Sequence, residues 1–316
     1  MGGRFAALRR RGLDATALKT FAVVTMLIDH TTFTFLERTV SPLTGGMTAS
    51  SAWTWYILDR VGRGIGRQAF PIFAFFIAEG YCRTHSRIRY LGRLALFAAI
   101  SQLPFWLMCN TGPIGSTRSV DLNVYATLAL GLLAVWALDE LYLRPAGLGN
   151  GYFLTPGMQR AAGDRQGSAV RGRADAGGGP RVRYAPGAES GGNCGRAPSA
   201  AALALRAIAA AAAAAGICLL AWFLHTDYDY AGVLAIVLFY LLRRYPKTAV
   251  LAVWVLLGCS SSWLEWFSLP GLLLLLTYNG ERGGADRGRL GKYGFYLFYP
   301  VHLLVLWALR VLLCGA

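Results

Sequence analysis

The sequence is poor in acidic residues and in histidine, and this scarcity narrows the functions open to it. Its 316 residues include 16 Asp and Glu against 31 Lys and Arg, and four histidines. The six cysteines lie far apart, without a CxxC pair or a histidine at metal-ligand spacing, so neither a zinc site nor a disulfide framework is indicated. The glycines of residues 62–66 have no strand before them and no Lys-Ser or Lys-Thr pair after them, which argues against a phosphate loop.

Outside its apolar runs, the chain has no segment with the hydrophobic periodicity of a soluble domain. Hydrophobic residues make up 55% of it, whereas about 45–50% is usual in soluble proteins even with glycine counted. Several runs are long enough to cross a bilayer. The basic residues cluster between these runs, as in cytoplasmic loops of membrane proteins. We therefore interpret the net charge of +15 as membrane topology and predict no nucleic-acid partner.

This pattern predicts an all-α, polytopic membrane helix bundle of about nine spans, within a range of about eight to ten. Arginines 9–11 and Lys19 precede or open the first run, which places the N-terminus in the cytoplasm, with the first span uncleaved. The predicted runs are 18–36, 67–82, 90–108, 122–138, 200–224, 231–242, 248–277 as two short helices, and 293–313. The predicted organisation is residues 1–144 with four spans, a loop at 145–198, and residues 199–316 with the remaining spans.

Two segments between the runs are predicted to be non-spanning. Residues 145–198 are rich in Gly, Ala and Arg and have almost no aliphatic side chains to bury. Such a segment cannot offset its ordering entropy, so we expect a flexible cytoplasmic loop. Residues 41–51 are polar and are expected to form an outer connection, followed by an aromatic cluster at the membrane interface, Trp53, Trp55 and Tyr56.

An aspartate and a histidine, Asp29 and His30, are adjacent inside the first apolar run. Ionisable groups at that depth cost about 2.5–3.5 kcal/mol each on insertion scales, so the pair indicates a functional site. Neighbouring residues on a helix point about 100° apart. We expect His30 to face a cavity, with Asp29 either turned toward another helix or sharing the cavity edge. A polar clamp between helices is the alternative for both residues.

Other polar groups in or beside the apolar runs are Glu79, Gln102, Asn123, Asp229 and His302. Glu79 is interpreted as a structural or gating partner of Arg83, four residues later on the same helix face. For His302, a hydrogen bond between helices is the alternative to a catalytic role. Arg63 and Arg67 flank the second run, where ordinary interfacial anchoring is the alternative to a function.

Six blocks of the sequence resemble the TraX family: LKTFAVVTMLIDH, GRQAFPIFAFFIAEGYCRTHSRIRYLGRL, SQLPF, DLN, LLLLLTYNGERG and KYGFYLFYPVHLLVL. They lie in the expected order and extend over nearly the whole chain except residues 145–198. The namesake of the family acetylates the amino terminus of a conjugative pilin. The family is similar to membrane acyltransferases that modify sugars and keep a histidine in an early span.

The resemblance implies an acetyltransferase of the bacterial inner membrane that takes acetyl from cytoplasmic acetyl-CoA without a metal. The acceptor is expected to be an amine or hydroxyl on a pilin-like protein or a glycan. Most relatives occur without conjugation genes, so the resemblance does not imply pilin itself. Besides the acceptor and membrane lipid, it implies no partner and no particular oligomeric state.

Acyl transfer needs a base to deprotonate the acceptor and donors for the developing oxyanion. We predict His30 as the base, oriented by Asp29 or Asp229, with Asn123 and His302 as polar donors in the cavity. Basic residues expected to bind the CoA phosphates, each also explained by topology alone, are Arg83, Arg87, Arg243, Arg244, Arg282 and Lys292. Because His30 lies in the outer half of its span, we expect a tunnel for the acetyl arm. Direct transfer and an acetyl-histidine intermediate are both open.

Two other classes of protein remain open at this point. In a transporter, Asp29, Glu79 and His302 would relay protons or ions, although the chain shows no internal repeat of the kind such folds contain. In a non-catalytic assembly protein, the same polar groups would only join helices.

Overall fold

The computed structural model describes residues 12–40, 46–110, 121–148, 199–284 and 289–314, apart from the side chains of residues 38–40 and 289–292. These parts are helices joined by short connections, and the β-structure within them is limited to two isolated bridges. The predicted all-α class is therefore confirmed. The predicted flexible loop lies almost entirely outside the described residues.

Within each described part of the chain, short connections join the helices. In chain order they are α1 (Ala15–Thr32) with a π-helical continuation (Phe33–Val40), α2 (Ala49–Gly66), α3 (Ala69–Arg83), α4 (Arg87–Cys109), α5 (Val124–Leu138) with a π-helical continuation (Asp139–Leu143), α6 (Ala200–Phe223), α7 (Asp229–Leu241), α8 (Pro246–Ser260), a 3₁₀ segment (Trp263–Ser268), α9 (Leu269–Leu275) and α10 (Arg289–Cys314).

Helices of this length and composition make the chain a membrane protein. Within the described residues, four segments are long and apolar enough to cross a bilayer: Arg87–Cys109, Val124–Leu143, Ala200–Phe223 and Tyr293–Cys314. Three shorter apolar segments, Asp229–Leu241, Pro246–Ser260 and Trp263–Leu275, correspond to further predicted runs. The expected total of about nine spans stays a prediction.

Helix α2 departs from the sequence-based expectation. The aromatic cluster after the first polar connection was expected to be an interfacial segment. Residues 49–66 instead form one helix, and at its start Thr48 accepts a hydrogen bond from the Ser51 amide. Charged residues such as Asp59 interrupt the apolar pattern of this stretch, so it does not resemble a span. The helix runs antiparallel to the C-terminal part of α1, since Gly62 faces Thr32 and Gly66 faces Asp29.

Two backbone contacts mark the two ends of the bundle. At one end Leu13, just before α1, pairs with Tyr278, just after α9, and the Leu13 amide donates to the Thr277 carbonyl at 3.0 Å. At the other end Leu122, just before α5, pairs with Thr226, between α6 and α7. We call the first the basic end, since α3 and α4 meet there in an arginine-rich connection, and the second the opposite end.

A buried aspartate ties three helices together at the basic end. Asp139, 2% exposed, accepts hydrogen bonds of 2.7 Å from the hydroxyls of Tyr81 on α3 and Tyr240 on α7. It also forms ion pairs with Arg144 at 2.9 Å and Arg87 at 3.4 Å. The carboxylate is fully paired, and removal of one partner would destabilise the bundle because it would leave a buried charge uncompensated.

Candidate active site

A cavity lies between the helices at the level of His30 and extends toward the opposite end. Its volume is about 820 Å³. The half-buried His30 lines it, together with Asp29 and with aromatic side chains that include Phe70, Tyr228 and Tyr299. An apolar cavity with a few convergent polar groups is the usual form of a small-molecule site.

His30 and His302 form a hydrogen-bonded pair beside this cavity. His30 Nδ1 lies 2.7 Å from His302 Nε2, and the two rings stack with centroids 5.0 Å apart. On its other side, His302 Nδ1 lies 2.7 Å from the carbonyl oxygen of Phe298, one turn earlier on α10. The sequence analysis placed His302 in the cavity as a donor; the structure places it behind His30 instead.

The Phe298 carbonyl decides which nitrogen of each ring carries the proton. A carbonyl oxygen only accepts, so His302 Nδ1 is the donor of that bond. The Nε2 atom of neutral His302 therefore accepts, and His30 Nδ1 donates to it. This leaves the lone pair of neutral His30 on Nε2, for which no hydrogen bond exists within the described residues. An imidazole in that state is ready to accept a proton.

Asp29 points away from His30, toward α2. The Asp29 residue is 6% exposed, and its carboxylate lies 2.8 Å from Arg63 Nη1 and 2.9 Å from Arg67 Nη2. Arg67 also contacts Glu265 Oε1 at 3.1 Å, which links the cluster to the 3₁₀ segment. Asp29 therefore anchors α1 to α2, and Arg63 and Arg67, for which interfacial anchoring was the alternative to a function, pair with carboxylates of the protein.

Two glycines allow this ion cluster to form. A Cβ on Gly66 would overlap the side chain of Asp29, and a Cβ on Gly62 would overlap that of Thr32. The two glycines lie four residues apart, so both face α1, in the small-residue spacing that lets membrane helices approach closely. Close approach brings the Arg63 and Arg67 guanidinium groups within reach of Asp29.

Two other predicted site residues do not reach the cavity. Asn123 is fully buried; its amide donates to the Ala98 carbonyl at 2.7 Å and to Gln102 Oε1 at 2.8 Å, while its oxygen caps α5. With both hydrogens used, it has none to offer an oxyanion. Asp229 opens α7 with a φ of 44° and does not line this cavity. Neither Asp29 nor Asp229 orients His30, which corrects the expectation from sequence.

A second cavity of about 290 Å³ lies at the basic end. Four basic side chains line it, namely Lys19, Arg83, Arg93 and Arg282. Arg83 pairs with the buried Glu79 at 2.7 Å, as the sequence predicts, and Glu79 also accepts from the Tyr278 hydroxyl at 2.6 Å. The Thr16 hydroxyl donates to the Arg282 carbonyl at 2.8 Å, which fixes the loop that carries Arg282. A cavity with this charge is suited to phosphate groups.

The two cavities adjoin. Four residues line both of them: Phe73, Tyr125, Leu128 and Phe295. Lys19 in the basic cavity and His30 in the other lie on the same helix, about 16 Å apart at 1.5 Å per residue. Apolar and aromatic side chains therefore form the boundary that the two cavities share, in the place where the sequence predicts a tunnel.

The remaining arginines expected to bind phosphates lie elsewhere. Arg87 pairs with Asp139 and Glu140. Arg243 is 4% exposed and donates to two backbone carbonyls, and Arg244 is exposed and lines neither cavity. The structure therefore brings Arg83 and Arg282 to the basic cavity but not Arg87, Arg243 or Arg244. The Lys292 side chain lies outside the described part.

Two carboxylates line the His30 cavity near the opposite end. Asp121 and Asp227 belong to connections held together by two hydrogen bonds, from the Leu122 amide to the His225 carbonyl and from the Asp227 amide to the Leu122 carbonyl, each 2.9 Å. Desolvation in the cavity wall raises the pKa of Asp227 to about 6, against the opposing effect of Arg67. In the described residues, no three His, Cys, Asp or Glu side chains converge as metal ligands.

A family model described as TraX protein matches residues 14–144 and 200–310. The chain belongs to the TraX family. The resemblance found in the sequence is thereby confirmed, and the unmatched interval coincides with the Gly- and Arg-rich segment. The TraX match includes His30, His302 and the four residues shared by the two cavities.

A curated relative has a name that bears on function. The "Probable fimbrial assembly protein FimC, serogroup H1" of Dichelobacter nodosus is 32% identical over 136 residues, which are 40% of this TraX-family chain and 47% of the relative. The chain thus matches about half the length of that relative. No solved structure matches the chain.

Sequence reasoning missed several residues of the site. Tyr299 lies three residues before His302, so helical spacing places the two on one face of α10 and marks it as a candidate. Lys19 and Arg93 were interpreted only as topological charges. Their position in the basic cavity depends on packing between helices distant in sequence, for which the sequence carries no signal.

Proposed function

We propose that this protein is a membrane acetyltransferase that transfers acetyl from cytoplasmic acetyl-CoA to an amine or hydroxyl acceptor. The observation that carries the proposal is the chain of hydrogen bonds from His30 through His302 to the Phe298 carbonyl, which leaves the His30 Nε2 lone pair at the cavity. Membership of the TraX family supports the same reaction class.

His30 acts as the general base in this proposal. Its Nε2 accepts the proton from the acceptor N–H or O–H while the acceptor lone pair attacks the acetyl carbonyl carbon. The C–S bond then breaks, and the thiolate leaves with the proton that His30 took. His302 holds the Nδ1–H tautomer of His30 throughout. In the alternative acetyl-histidine route, His30 Nε2 bonds to the acetyl carbon as the C–S bond breaks. The acceptor then attacks that carbon as the bond to His30 breaks, and the acceptor proton passes to the CoA thiolate.

Acetyl-CoA enters from the basic end, which we assign to the cytoplasm because basic connections stay on that side. Lys19, Arg83, Arg93 and Arg282 bind its phosphates, and these residues fit the charge of the donor. The pantetheine arm passes between Phe73 and Phe295, so the thioester reaches His30 without crossing lipid. The acceptor reaches His30 from the opposite end, past Asp121 and Asp227.

We further propose that the acceptor belongs to a fimbrial or pilus assembly system. The support is the name of the curated relative, a probable fimbrial assembly protein. A free amino terminus of a pilin-like subunit would present an amine to the cavity. The acidic residues near the opposite end favour a cationic amine over a neutral hydroxyl.

The test uses the full chain, purified in detergent, with labelled acetyl-CoA and a short synthetic peptide bearing a free amino terminus. We expect release of CoA thiol and acetylation of the peptide, and none on the same peptide with a blocked amino terminus. His30→Ala should abolish both. His85→Ala is the matched control, because His85 is exposed and lines neither cavity.

Thioester cleavage that is equal in the wild type and in His30→Ala would contradict the assignment of the base. Proton-coupled uptake by liposomes, with neither binding nor cleavage of acetyl-CoA, would favour a transporter instead. A non-catalytic assembly protein would be favoured by two results together. The wild type would show no thioester cleavage, and the only effect of His30→Ala would be a lower yield of folded protein.

A further inference from the structure

A buried tyrosine hydroxyl lies at the His30 cavity without an acceptor for its proton. Tyr299 is 3% exposed and lines the cavity. The backbone N–H of Val124 is directed at its oxygen, but the hydroxyl proton has no acceptor among the described residues. Buried hydroxyls are nearly always hydrogen bonded, because an unpaired one loses its bonds to water without replacement. A buried hydroxyl whose proton has no acceptor in the protein indicates that the acceptor arrives with the substrate.

The ring of Tyr299 is held beside the base. Its centroid lies 6.0 Å from that of His30 and 5.7 Å from that of His302, with ring planes at 64° in both pairs. On another side, the Tyr125 ring packs edge-to-face against it at 5.2 Å. These contacts fix the ring plane, so the hydroxyl is preorganised before any substrate enters.

Three other donors in this part of the bundle, on Arg67, Tyr125 and Asn123, are already engaged. Arg67 donates through Nη1 to Glu265, through Nη2 to Asp29 and through Nε to the Arg63 carbonyl. The Tyr125 hydroxyl donates to the Tyr296 carbonyl at 3.0 Å. The side-chain amide of Asn123 donates both of its hydrogens to other groups. The Tyr299 O–H, in contrast, donates to no acceptor among the described residues.

We propose that Tyr299 donates its O–H to the oxyanion that forms during acetyl transfer, an inference that rests on the proposed function. When the acceptor attacks, the π electron pair of the acetyl C=O moves onto oxygen, and the Tyr299 hydroxyl hydrogen-bonds to that oxygen. When the C=O re-forms, the C–S bond breaks and the thiolate takes the proton held by His30. Tyr299 keeps its own proton throughout, so its role is electrostatic.

The experiment compares Tyr299→Phe with the wild type, measuring kcat and KM for acetyl-CoA from the release of CoA thiol in detergent. We expect kcat to fall about 10²–10³-fold, the range for loss of one oxyanion donor, while KM for acetyl-CoA stays unchanged. Tyr240→Phe is the matched control: it removes another buried tyrosine hydroxyl, bonded to Asp139 at the basic end, and should leave kcat unchanged.

Replacement of Tyr299 by 3-fluorotyrosine separates the hydroxyl from the packing. This residue keeps the O–H and is slightly larger, so kcat should return to near the wild-type value if the donor matters. A low kcat in this variant as well would overturn the proposal, because packing would then explain both losses.

The remaining outcomes distinguish this inference from the proposed function. An active wild type and an equally active Tyr299→Phe would overturn the role of Tyr299 and leave the acetyltransferase standing. A rise in KM alone would also overturn it, since the hydroxyl would then only bind substrate. No thioester cleavage in the wild type would overturn both.

Discussion

At the scale of single residues, the chemistry of His30 depends on a partner 272 positions away in the sequence. A neighbouring carboxylate is the usual means of orienting a catalytic histidine, and Asp29 stands next to His30 in the chain. The structure uses Asp29 for an ion cluster with Arg63 and Arg67 instead. His302, itself held by the Phe298 carbonyl, takes the orienting role. Adjacent residues on a helix point in different directions, so sequence proximity is a poor guide to partnership.

His302 should therefore act as a positioning residue. We expect His302→Ala to lower kcat about 10–100-fold, as for partners that orient metal-bound histidines, and less than His30→Ala, for which about 10²–10⁴-fold is expected. His302→Gln should recover part of the loss, because its amide oxygen can accept the His30 Nδ1–H. The measurement is kcat with acetyl-CoA and the peptide acceptor.

Thermal unfolding of each variant in detergent provides the control for this series. A His302→Gln protein that unfolds like the wild type but has the same kcat as His302→Ala would refute the orienting hydrogen bond. Equal loss in His302→Ala and His30→Ala would instead indicate that both histidines handle protons.

At the scale of helices, the contact between α1 and α2 places the base. Gly62 and Gly66 let the two backbones approach, and the approach allows the α2 arginines to pair with Asp29. The sequence predicted the ends of most helices to within a few residues, since their apolar runs are long. It missed α2, whose arginines pair with carboxylates of the protein, Arg63 with Asp29 and Arg60 with Asp59. A hydropathy pattern treats every charged residue as unfavourable for membrane insertion, so it does not detect charges that pair inside the protein.

Gly66→Ala should separate α1 from α2. Its Cβ would overlap Asp29, and such overpacking typically costs about 1–3 kcal/mol. We expect a lower unfolding temperature and a lower kcat, because His30 follows Asp29 on the displaced helix. Unfolding in detergent and CoA release measure the two effects.

Gly92→Ala is the control for that variant. A Cβ on Gly92 in α4 meets no atom within 4 Å, so stability and kcat should match or exceed those of the wild type. If Gly66→Ala behaved like Gly92→Ala, the close helix contact would not be what positions His30.

At the scale of the whole molecule, two cavities of different character meet inside one bundle. The basic cavity draws its charged residues from α1, α3, α4 and the loop after α9. The His30 cavity is lined by α1, α2, α3, α4, α5, α10 and the connection between α6 and α7. Lys19 and His30 share one helix, which fixes the distance between the two cavities. This arrangement allows one substrate to enter from the basic end and the other from the opposite end.

Arg282→Gln should weaken donor binding without slowing the chemical step. Loss of one charged hydrogen bond to a phosphate predicts a rise of about tenfold in KM for acetyl-CoA, with kcat unchanged. Arg89→Gln is the matched control, because Arg89 is exposed at the same end and lines neither cavity. The measurement is steady-state CoA release at several ionic strengths.

The wild-type KM should rise with salt, and that rise should be smaller in Arg282→Gln, since screening acts on the charge that was removed. A fall in kcat without a change in KM would contradict a phosphate-binding role for Arg282.

The sequence by itself determined the all-α class, the membrane location of the chain and its family. It also indicated His30 as the leading candidate for a functional residue. Long apolar runs, alternating basic connections and a buried ionisable pair are local features, and each has one main physical interpretation. The Glu79–Arg83 pair was predictable for the same reason, because both residues lie on one helix face.

Only the tertiary structure decided the partners. It joined His30 to His302, turned Asp29 toward α2, used Asn123 as a helix cap, and brought Lys19 and Arg93 to the cavity that Arg83 and Arg282 line. The physical reason is that hydrogen bonds and ion pairs depend on distances of about 3 Å. Such distances arise from packing between helices far apart in the chain, and no local pattern of residues specifies them.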